Sequence, residues 1–247
     1  MLRIYLPNPS PEQNQITIPP DKVHYLRTVL RCKHGERLLI FDGKGNCYRT
    51  SISKVTNREI KAVMIETVPC DAESPLHIVL VQALLQGEKM DFVVQKTTEL
   101  GACEVMPVVT AHSQVRTTRK TARWKKISEE AARQSGRSVV PTIHNVITFP
   151  EFFHHVRGAA GFLFATNNGM DISLAVKRLK QRFKQNPGEQ NSLYLLVGPE
   201  GGFTEEETMM AHKKGFLLTS LGPRVLRAET AAISAVILLQ FLLGDMN

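Results

Sequence analysis

This sequence has few cysteines and none of the motifs that mark common hydrolases and metalloenzymes. Its four cysteines form no C-x-x-C pair and do not lie beside histidines at zinc-finger spacing. It contains no H-E-x-x-H motif, no G-x-S-x-G motif and no cluster of metal-ligating residues. These absences argue against a zinc protein, a serine hydrolase and a cysteine nucleophile, and we predict that no metal is bound.

The sequence also lacks a long apolar run and an export signal. Its longest apolar stretch, 231–243, is interrupted by Ser234 and Gln240 and falls short of the about 20 residues that a membrane helix requires. The opening MLRIYLPNPS does not have the basic-then-apolar pattern of a signal peptide. We therefore expect a cytoplasmic protein, with no membrane partner, whose cysteines are reduced and buried.

Positive charge, by contrast, is in excess. Lys and Arg number 31 against 23 Asp and Glu, which gives a formal net charge of +8. This excess favours a polyanionic partner, because each basic side chain near a phosphate can release a condensed counterion. A solvated basic surface without any nucleic acid would give the same count, so charge alone leaves both interpretations open.

The pattern of apolar residues changes near residue 70. Residues 1–70 contain short β-branched segments and a hairpin signal at 42–45, which together are typical of a small β-barrel. The polar segment 69–75 is bounded by prolines and marks a boundary. Beyond it, strands and helices alternate, which predicts a parallel sheet with helices on both faces. We predict two domains, residues 1–70 and residues 75–247.

A first glycine-rich turn, LVGPEGGFTEEE at 196–207, follows an apolar strand. In an open α/β sheet, ligands bind where such turns leave the carboxyl ends of strands. Thr204 and Glu207 have the spacing of a capping box at the start of the next helix. The glutamates around this helix start oppose a phosphate, so a ligand with a positive sulfonium suits the turn better. A plain turn with glycines for packing is the alternative.

A second turn, LGPRVLRAETA at 221–231, has the same context of strand before and helix after. Two such turns on neighbouring strands are expected to face one crevice. Arg224 and Arg227 require partners in a loop, such as a phosphate, a base carbonyl or Glu229. A structural ion pair between Arg227 and Glu229 is the alternative.

Two further segments carry basic residues without a decisive pattern. Lys96 and Glu99 have the spacing of an i,i+3 surface pair on a helix, which is the interpretation that the spacing favours. The segment 116–137 holds eight basic and two acidic residues. It suits either a helix face that follows phosphates or a solvated surface helix.

Together these segments resemble the 16S ribosomal RNA N3-methyluridine methyltransferases, the RsmE family of the SPOUT superfamily. The two turns, LVGPEGGFTEEE and LGPRVLRAETAA, carry most of the resemblance. It extends in the same order through HYLRTVLRCKHGERLLIFDGKG, QGEKMDFVVQKTTELGACEVMPV and KISEEAARQSGRSVVP. The resemblance therefore covers nearly the whole chain.

The resemblance implies an α/β fold class with two parts. Residues 1–70 would form a PUA-like β-barrel that binds RNA, and their 11 basic and 6 acidic side chains suit that role. Residues 75–247 would form a Rossmann-like SPOUT domain with a trefoil knot that holds S-adenosyl-L-methionine. The family acts as a homodimer in ribosome biogenesis. The resemblance also implies the reaction, which is methylation of N3 of a uridine in 16S rRNA of the small ribosomal subunit.

The resemblance also implies roles for individual residues. The cofactor-binding residues are Ala165, Thr166, Leu196, Val197, Gly198, Pro199, Glu200, Gly201, Gly202, Leu221, Gly222, Val225, Leu226 and Arg227. Arg227 is the candidate for stabilising negative charge on the uracil carbonyls, and Glu229 for orienting Arg227 or assisting proton removal. The RNA-binding residues are Arg27, Arg31, Lys89, Lys96 and Arg137.

One segment departs from the family pattern. After Pro107 the family usually has a Ser-Glu-Arg-Ser type segment, whereas residues 110–116 read TAHSQVR. The usual arginine position falls on Ser113 or Gln114, so the resemblance assigns no RNA contact there. Two other functions stay open: ribose 2′-O methylation by the same superfamily, and RNA binding without catalysis.

Overall fold

A computed structural model describes residues 1–9, 14–156, 160–164, 169–185 and 192–246 of the chain. The chain divides into two units. Unit 1 comprises Met1–Glu73 and Ala132–Val140, and unit 2 comprises Ser74–Ala131 and Pro141–Asn247. The division at residues 1–70 and 75–247 stays a prediction, and it did not include a return of the stretch 132–140 to the N-terminal unit.

Unit 1 is built on a five-stranded sheet with the order β1-β3-β4-β5-β2. Its strands are β1 (Leu2–Tyr5), β2 (Gln15–Ile18), β3 (Arg37–Phe41), β4 (Cys47–Val55) and β5 (Ile60–Val68). A short helix, α1 (Pro20–His24), continues as one π-helical turn at Tyr25–Val29. β3 and β4 pair antiparallel, which confirms the predicted hairpin, and its turn contains Gly43 with a φ of +77°.

The stretch 132–140 is held in unit 1 by Glu73. One carboxylate oxygen accepts hydrogen bonds from Arg137 Nε and Nη2 at 3.1 and 2.8 Å. The other accepts from the backbone N–H groups of Ser138 and Val139 at 2.8 and 2.9 Å. The Arg137 side chain is only 2% exposed, so it cannot reach a phosphate in this arrangement. We therefore assign Arg137 a structural role in place of the predicted RNA contact.

Two of the four cysteines differ from the expectation that all are reduced. Cys47 and Cys70 form a disulfide, with Cα atoms 6.3 Å apart, while Cys32 and Cys103 are free. The strand register explains the proximity, because Cys47 lies opposite Val68, two residues before Cys70. Spacing along the chain gave no sign of this pairing.

Unit 2 is built on a parallel sheet with the order β11-β13-β10-β12-β6-β7-β8, and β9 also pairs with β7. The strands are β6 (Ile78–Ala83), β7 (Ala102–Val109), β8 (Thr142–Ile143), β9 (Ile147–Thr148), β10 (Ala160–Phe164), β11 (Met170–Asp171), β12 (Leu193–Val197) and β13 (Leu217–Ser220). The helices are α2 (Lys89–Glu99), α3 (Thr121–Ser135), α4 (Phe149–His155), α5 (Ile172–Gln185), α6 (Glu205–Lys213) and α7 (Ala228–Leu243). Residues 132–135 of α3 belong to unit 1.

The sheet of unit 2 has an apolar core on each face. Because side chains alternate along a strand, Leu195 and Val197 of β12 pack in one core with residues of α2, α5 and α7. Leu196 points to the other face and packs with the phenylalanines of α4 and with α6. Truncating a fully buried phenylalanine such as Phe152 to alanine is expected to cost about 3–5 kcal/mol. The prediction of helices on both faces of a parallel sheet is confirmed.

None of the described helices is both long enough and apolar enough to cross a membrane. Helix α4 lies at Phe149–His155, where the sequence pattern predicts no helix. The order of the elements places the two glycine-rich turns as predicted, one between β12 and α6 and the other between β13 and α7.

Candidate cofactor and catalytic site

Both glycine-rich turns leave the same edge of the sheet in unit 2. The strands that precede them, β12 and β13, lie on either side of β10 and run parallel to it. Their carboxyl ends therefore meet at one edge, with Phe164 at the end of β10 between them. This is the edge at which ligands bind in open α/β sheets.

The first turn is shaped by its glycines and closed by a capping box. Gly202 has a φ of +71°, a conformation that glycine adopts without strain. A Cβ atom on Gly198 would lie only 3.3 Å from the Gly202 backbone, so the backbone at Gly198 passes close to the backbone at Gly202. The side chain of Thr204 accepts from the Glu207 backbone N–H, and Glu207 accepts from that of Thr204, which confirms the predicted cap.

A neighbouring segment braces this turn from outside. The backbone N–H of Ala111 donates to Glu207 Oε1 at 2.8 Å. His112 Nδ1 lies 2.9 Å from the carbonyl oxygen of Gly201. Because a carbonyl oxygen only accepts, Nδ1 carries the proton in this contact. A Cβ on Gly201 would lie 2.9 Å from the His112 Cβ, so a side chain there would push the brace away.

The second turn begins with a glycine and ends at the start of α7. Gly222 has a φ of +111°, and Ser220 Oγ accepts from its N–H and donates to its carbonyl oxygen. Arg227 is the N-cap residue of α7, with an extended backbone. Its carbonyl oxygen accepts from the Ala231 N–H at 2.8 Å, while its side chain is exposed.

The two turns line one cavity of about 510 Å³. A smaller adjoining cavity shares Phe164, Leu226 and Ala231 with it. The predicted cofactor-binding residues that line one or the other are Val197, Gly198, Pro199, Glu200, Gly201, Gly202, Leu221, Gly222, Val225, Leu226 and Arg227. The structure thus brings both turns together, although contact of these residues with a cofactor stays a prediction.

Two predicted RNA contacts in unit 2 have protein partners. Lys89 lines the cavity, and its Nζ lies 2.6 Å from Glu200 Oε1. Burial raises the pKa of Glu200, but the hydrogen bonds from Lys89 and the backbone outweigh it and hold this pKa below its ordinary value. Lys96 pairs with Glu99 at 2.9 Å, as the i,i+3 spacing predicts. In unit 1, Arg27 and Arg31 are both exposed.

Arg227 and Glu229 do not form the structural ion pair that was the alternative interpretation of the second turn. In the described part of the chain they form no ion pair with each other, and Glu229 Oε2 is buried without a hydrogen-bond partner. Buried carboxylate oxygens in native proteins nearly always have a partner. Glu229 Oε2 is therefore an unsatisfied hydrogen-bond acceptor within the described residues.

Three predicted positions need separate comment. Ala165 and Thr166 lie outside the described residues. The side chain of Leu196 packs in the core on the opposite face of the sheet, so only its backbone can serve the cavity. Strand alternation already predicts this, because Leu195 and Val197 face the cavity side.

Five residues that line the cavity were not predicted to bind the cofactor or RNA: Phe164, Phe203, Thr208, Ala228 and Ala231. Phe164 directly precedes the predicted pair at 165–166, and Phe203 directly follows the glycines. Their apolar side chains suggested core packing, so only proximity in sequence could have indicated their place.

Comparison with known proteins gives matches for both parts of the chain. Residues 72–240 match the model of an RNA methyltransferase domain, and residues 18–65 match that of an RNA methyltransferase PUA domain. The ribosomal RNA small subunit methyltransferase E of Synechocystis is 32% identical over 222 residues, which cover 90% of this chain and 71% of that protein.

Solved structures give the same result over the full length. A ribosomal RNA small subunit methyltransferase E from Neisseria gonorrhoeae, bound to S-adenosyl methionine, is 32% identical with a TM-score of 0.88 and full coverage of both chains. A putative methyltransferase from Legionella pneumophila, in complex with the same cofactor, is 31% identical with a TM-score of 0.85 and 99% coverage of each chain. These likenesses confirm the predicted SPOUT fold class with a PUA-like N-terminal part.

Proposed function

This chain belongs to the RNA methyltransferase family, and from that membership we propose that it methylates N3 of a uridine in 16S ribosomal RNA. S-adenosyl-L-methionine is the methyl donor in this proposal, and the substrate RNA belongs to the small ribosomal subunit. The observation that carries the proposal is the cavity of about 510 Å³, with its smaller neighbour, between the turns at 196–202 and 221–227. These are the turns on which the resemblance to the RsmE family rests.

The residues around the cavity suit this donor. A volume of about 510 Å³ is within the range of about 300–1,000 Å³ that is usual for small-molecule sites. Gly202 has open space where a side chain would start, so a ligand can approach its backbone closely, and the carboxylate of Glu200 lines the cavity without repelling a cation. A phosphorylated ligand would meet the three glutamates of the first turn of α6.

When bound, S-adenosyl-L-methionine supplies an electrophilic methyl group on a positive sulfonium. N3 of uridine carries a proton and is a poor nucleophile, so it must lose this proton as it attacks. Negative charge then spreads onto the O2 and O4 carbonyls of the base. The protein must hold N3 in line with the methyl group and stabilise this charge.

Arg227 is the residue to which we assign the stabilisation of that charge. Its side chain lines the cavity and is exposed, and a guanidinium donates to two carbonyl oxygens without losing its own proton. Glu229 lies two residues later with a buried, unpartnered oxygen, but it does not line the cavity in the described residues. The described residues show no contact between Glu229 and Arg227, so we propose that Glu229 orients Arg227 only once the RNA is bound.

RNA docking is assigned to the exposed basic side chains of unit 1. Arg27 lies on the π-helical turn after α1, and Arg31 follows it with a φ of +52°. Both are exposed, as phosphate contacts require. The PUA family match covers this segment, in keeping with an RNA-binding role for residues 1–70.

A homodimer is proposed from the outer face of α7. Ile237 and Phe241 lie one helical turn apart and are 39% and 54% exposed, so they form an apolar stripe. A second copy of the chain would cover it. In light scattering, Phe241→Asp should then shift the protein from dimer to monomer, and an unchanged mass would contradict the assignment.

Because its substrate is the ribosomal subunit, we place the enzyme in the cytoplasm.

The test is mass spectrometry of nucleosides from small ribosomal subunits incubated with the protein and labelled S-adenosyl-L-methionine. The expected product is N3-methyluridine. Label on a ribose hydroxyl would instead indicate a 2′-O methyltransferase. No transferred label, together with no donor binding in calorimetry, would indicate an RNA-binding protein without catalysis.

A further inference from the structure

A second, polar depression lies beside the cavity, and no step of the proposed reaction uses it. Its lining comes from the segment after β7 and from the first glycine turn. The lining residues are Ala111, His112, Ser113, Gln114, Arg116 and Gly201. Gly201 also lines the larger cavity, so the two openings adjoin at the tip of that turn.

The lining of the depression includes a cation, Arg116, and a histidine ring that can accept a hydrogen bond, His112. Arg116 is exposed, and its Nη2 donates to the carbonyl oxygen of Ala111 at 3.0 Å. Within the described residues its side chain makes this hydrogen bond and no ion pair, so the rest of its guanidinium is open to an anion. His112 is also exposed, and since its Nδ1 donates to Gly201, Nε2 is an acceptor in the neutral ring.

One carboxylate, Glu207, contacts the segment. It accepts from the backbone N–H groups of Ala111 and Thr204 and forms no ion pair with Arg116 within the described residues. Arg119 and Lys120 follow Arg116 on the exposed chain, and Lys120 Nζ donates to the Gly87 carbonyl oxygen at 2.8 Å. The segment thus offers a positive path that starts at the edge of the cavity.

We propose that this depression binds the RNA backbone next to the target uridine. Arg116 holds a phosphate there, and His112 Nε2 accepts a hydrogen bond from a ribose 2′-hydroxyl. Phosphate contacts set the register of a nucleic acid, and the 2′-hydroxyl distinguishes RNA from DNA. The proposal rests on the proposed function, since RNA bound here is relevant only if the adjoining cavity holds the methyl donor.

The test measures the binding of a short single-stranded RNA from 16S rRNA, and of DNA of the same sequence, over a range of salt concentrations. In Arg116→Ala the slope of log affinity against log salt should fall by about 0.7, as for one lost phosphate contact on a single strand. Arg116→Lys should retain most of the slope. Arg178→Ala, which removes an exposed arginine of α5, is the matched control and should leave the slope unchanged.

His112 is tested by the ratio of RNA affinity to DNA affinity. His112→Ala should lower RNA binding several-fold while DNA binding stays within twofold, which are order-of-magnitude expectations for one lost hydrogen bond (about 1 kcal/mol). His112→Ala also removes the hydrogen bond to the Gly201 carbonyl oxygen. If that loss disturbs the first turn, calorimetry will show weaker binding of S-adenosyl-L-methionine, but the ratio of RNA affinity to DNA affinity will not change.

Two results would overturn the inference. Equal salt slopes for Arg116→Ala and Arg178→Ala would remove the phosphate contact, and an unchanged RNA-to-DNA ratio in His112→Ala would remove the 2′-hydroxyl contact. Both are binding measurements, so they stand apart from the methylation assay. If the wild-type protein makes no N3-methyluridine while the slope still falls in Arg116→Ala, the proposed function fails and the RNA subsite holds.

Discussion

The two edges of the parallel sheet in unit 2 both carry charged side chains, but the charges are satisfied differently. Near the start of β7, Glu104 lies 2.5 Å from His144 Nε2 and 3.4 Å from His77 Nε2. At the opposite edge, Arg227 and Glu229 form no ion pair with each other within the described residues, and one oxygen of Glu229 has no partner. Groups that satisfy each other stabilise the fold, whereas groups left open are available for a ligand.

The presence or absence of a partner therefore distinguishes charged residues that stabilise the fold from those that serve function, which the sign of the charge does not. Both edges contain acidic and basic side chains that the fold brings close together. Only the edge at the carboxyl ends of β12 and β13 also has a cavity and glycine turns with close backbone approach. The comparison therefore predicts that substitutions at one edge change catalysis and that those at the other change acid stability.

The largest effect is expected for Arg227→Ala. Removing a donor that stabilises developing charge should lower turnover about 100-fold to 1,000-fold, while the affinity for S-adenosyl-L-methionine changes little. Steady-state methyl transfer to small subunits and calorimetry with the donor measure the two quantities. Arg178→Ala is the control for loss of an exposed arginine, and normal turnover in Arg227→Ala would refute its catalytic role.

An intermediate effect is expected for Gly202→Ala. Holding an alanine at a φ of +71° costs about 1–2 kcal/mol. This strain favours a change in the backbone of the turn at 196–202, which is proposed to bind the donor. The dissociation constant for S-adenosyl-L-methionine should rise about tenfold if about 1.4 kcal/mol of that cost opposes binding.

Gly136→Ala provides a matched control for this strain. Gly136 has a φ of +82° and, like Gly202, has no atom within 4 Å of an added Cβ, but it lies in unit 1. It should lose similar stability with no change in donor affinity. Equal donor affinities in both variants would show that the first turn does not bind the donor.

The smallest effect is expected for Glu104→Gln at the other edge. The hydrogen bond from His144 outweighs burial and lowers the pKa of Glu104 below its ordinary value of 4.5. A lowered folded-state pKa stabilises the protein above the unfolded value and loses this contribution as pH falls through the folded value. The pair is partly exposed, so the contribution is about 1 kcal/mol or less.

Denaturant unfolding over a pH series tests this. Wild type should be the more stable protein above pH 4.5, and the difference from Glu104→Gln should close as the pH falls further. Methyl transfer at neutral pH should not change. A difference that persists at the acid end, or a loss of turnover, would contradict the division between the edges.

Local signals in the sequence predicted the parts of the site that depend on neighbouring residues. The capping box of Thr204 and Glu207 fixes the start of α6, and its spacing alone predicts it. The same signal, Thr148 with Glu151, opens α4, but a helix of seven residues is too short to show a clear period. That helix was therefore not predicted.

Contacts between distant segments could not be predicted in this way. Arg137 lies 64 residues from Glu73, and within its basic segment it is indistinguishable from a surface arginine. The pairing of Cys47 with Cys70 depends on the register of β4 and β5. In each case the fold brings together residues whose local sequence gives no indication of the partner.

The most direct test of the central claim is a crystal structure of the protein with S-adenosyl-L-methionine. The claim predicts the donor between the turn at 196–202 and the turn at 221–227, with its methyl group facing the Arg227 side chain. Donor bound at any other place, or with its methyl group turned away from Arg227, would contradict it.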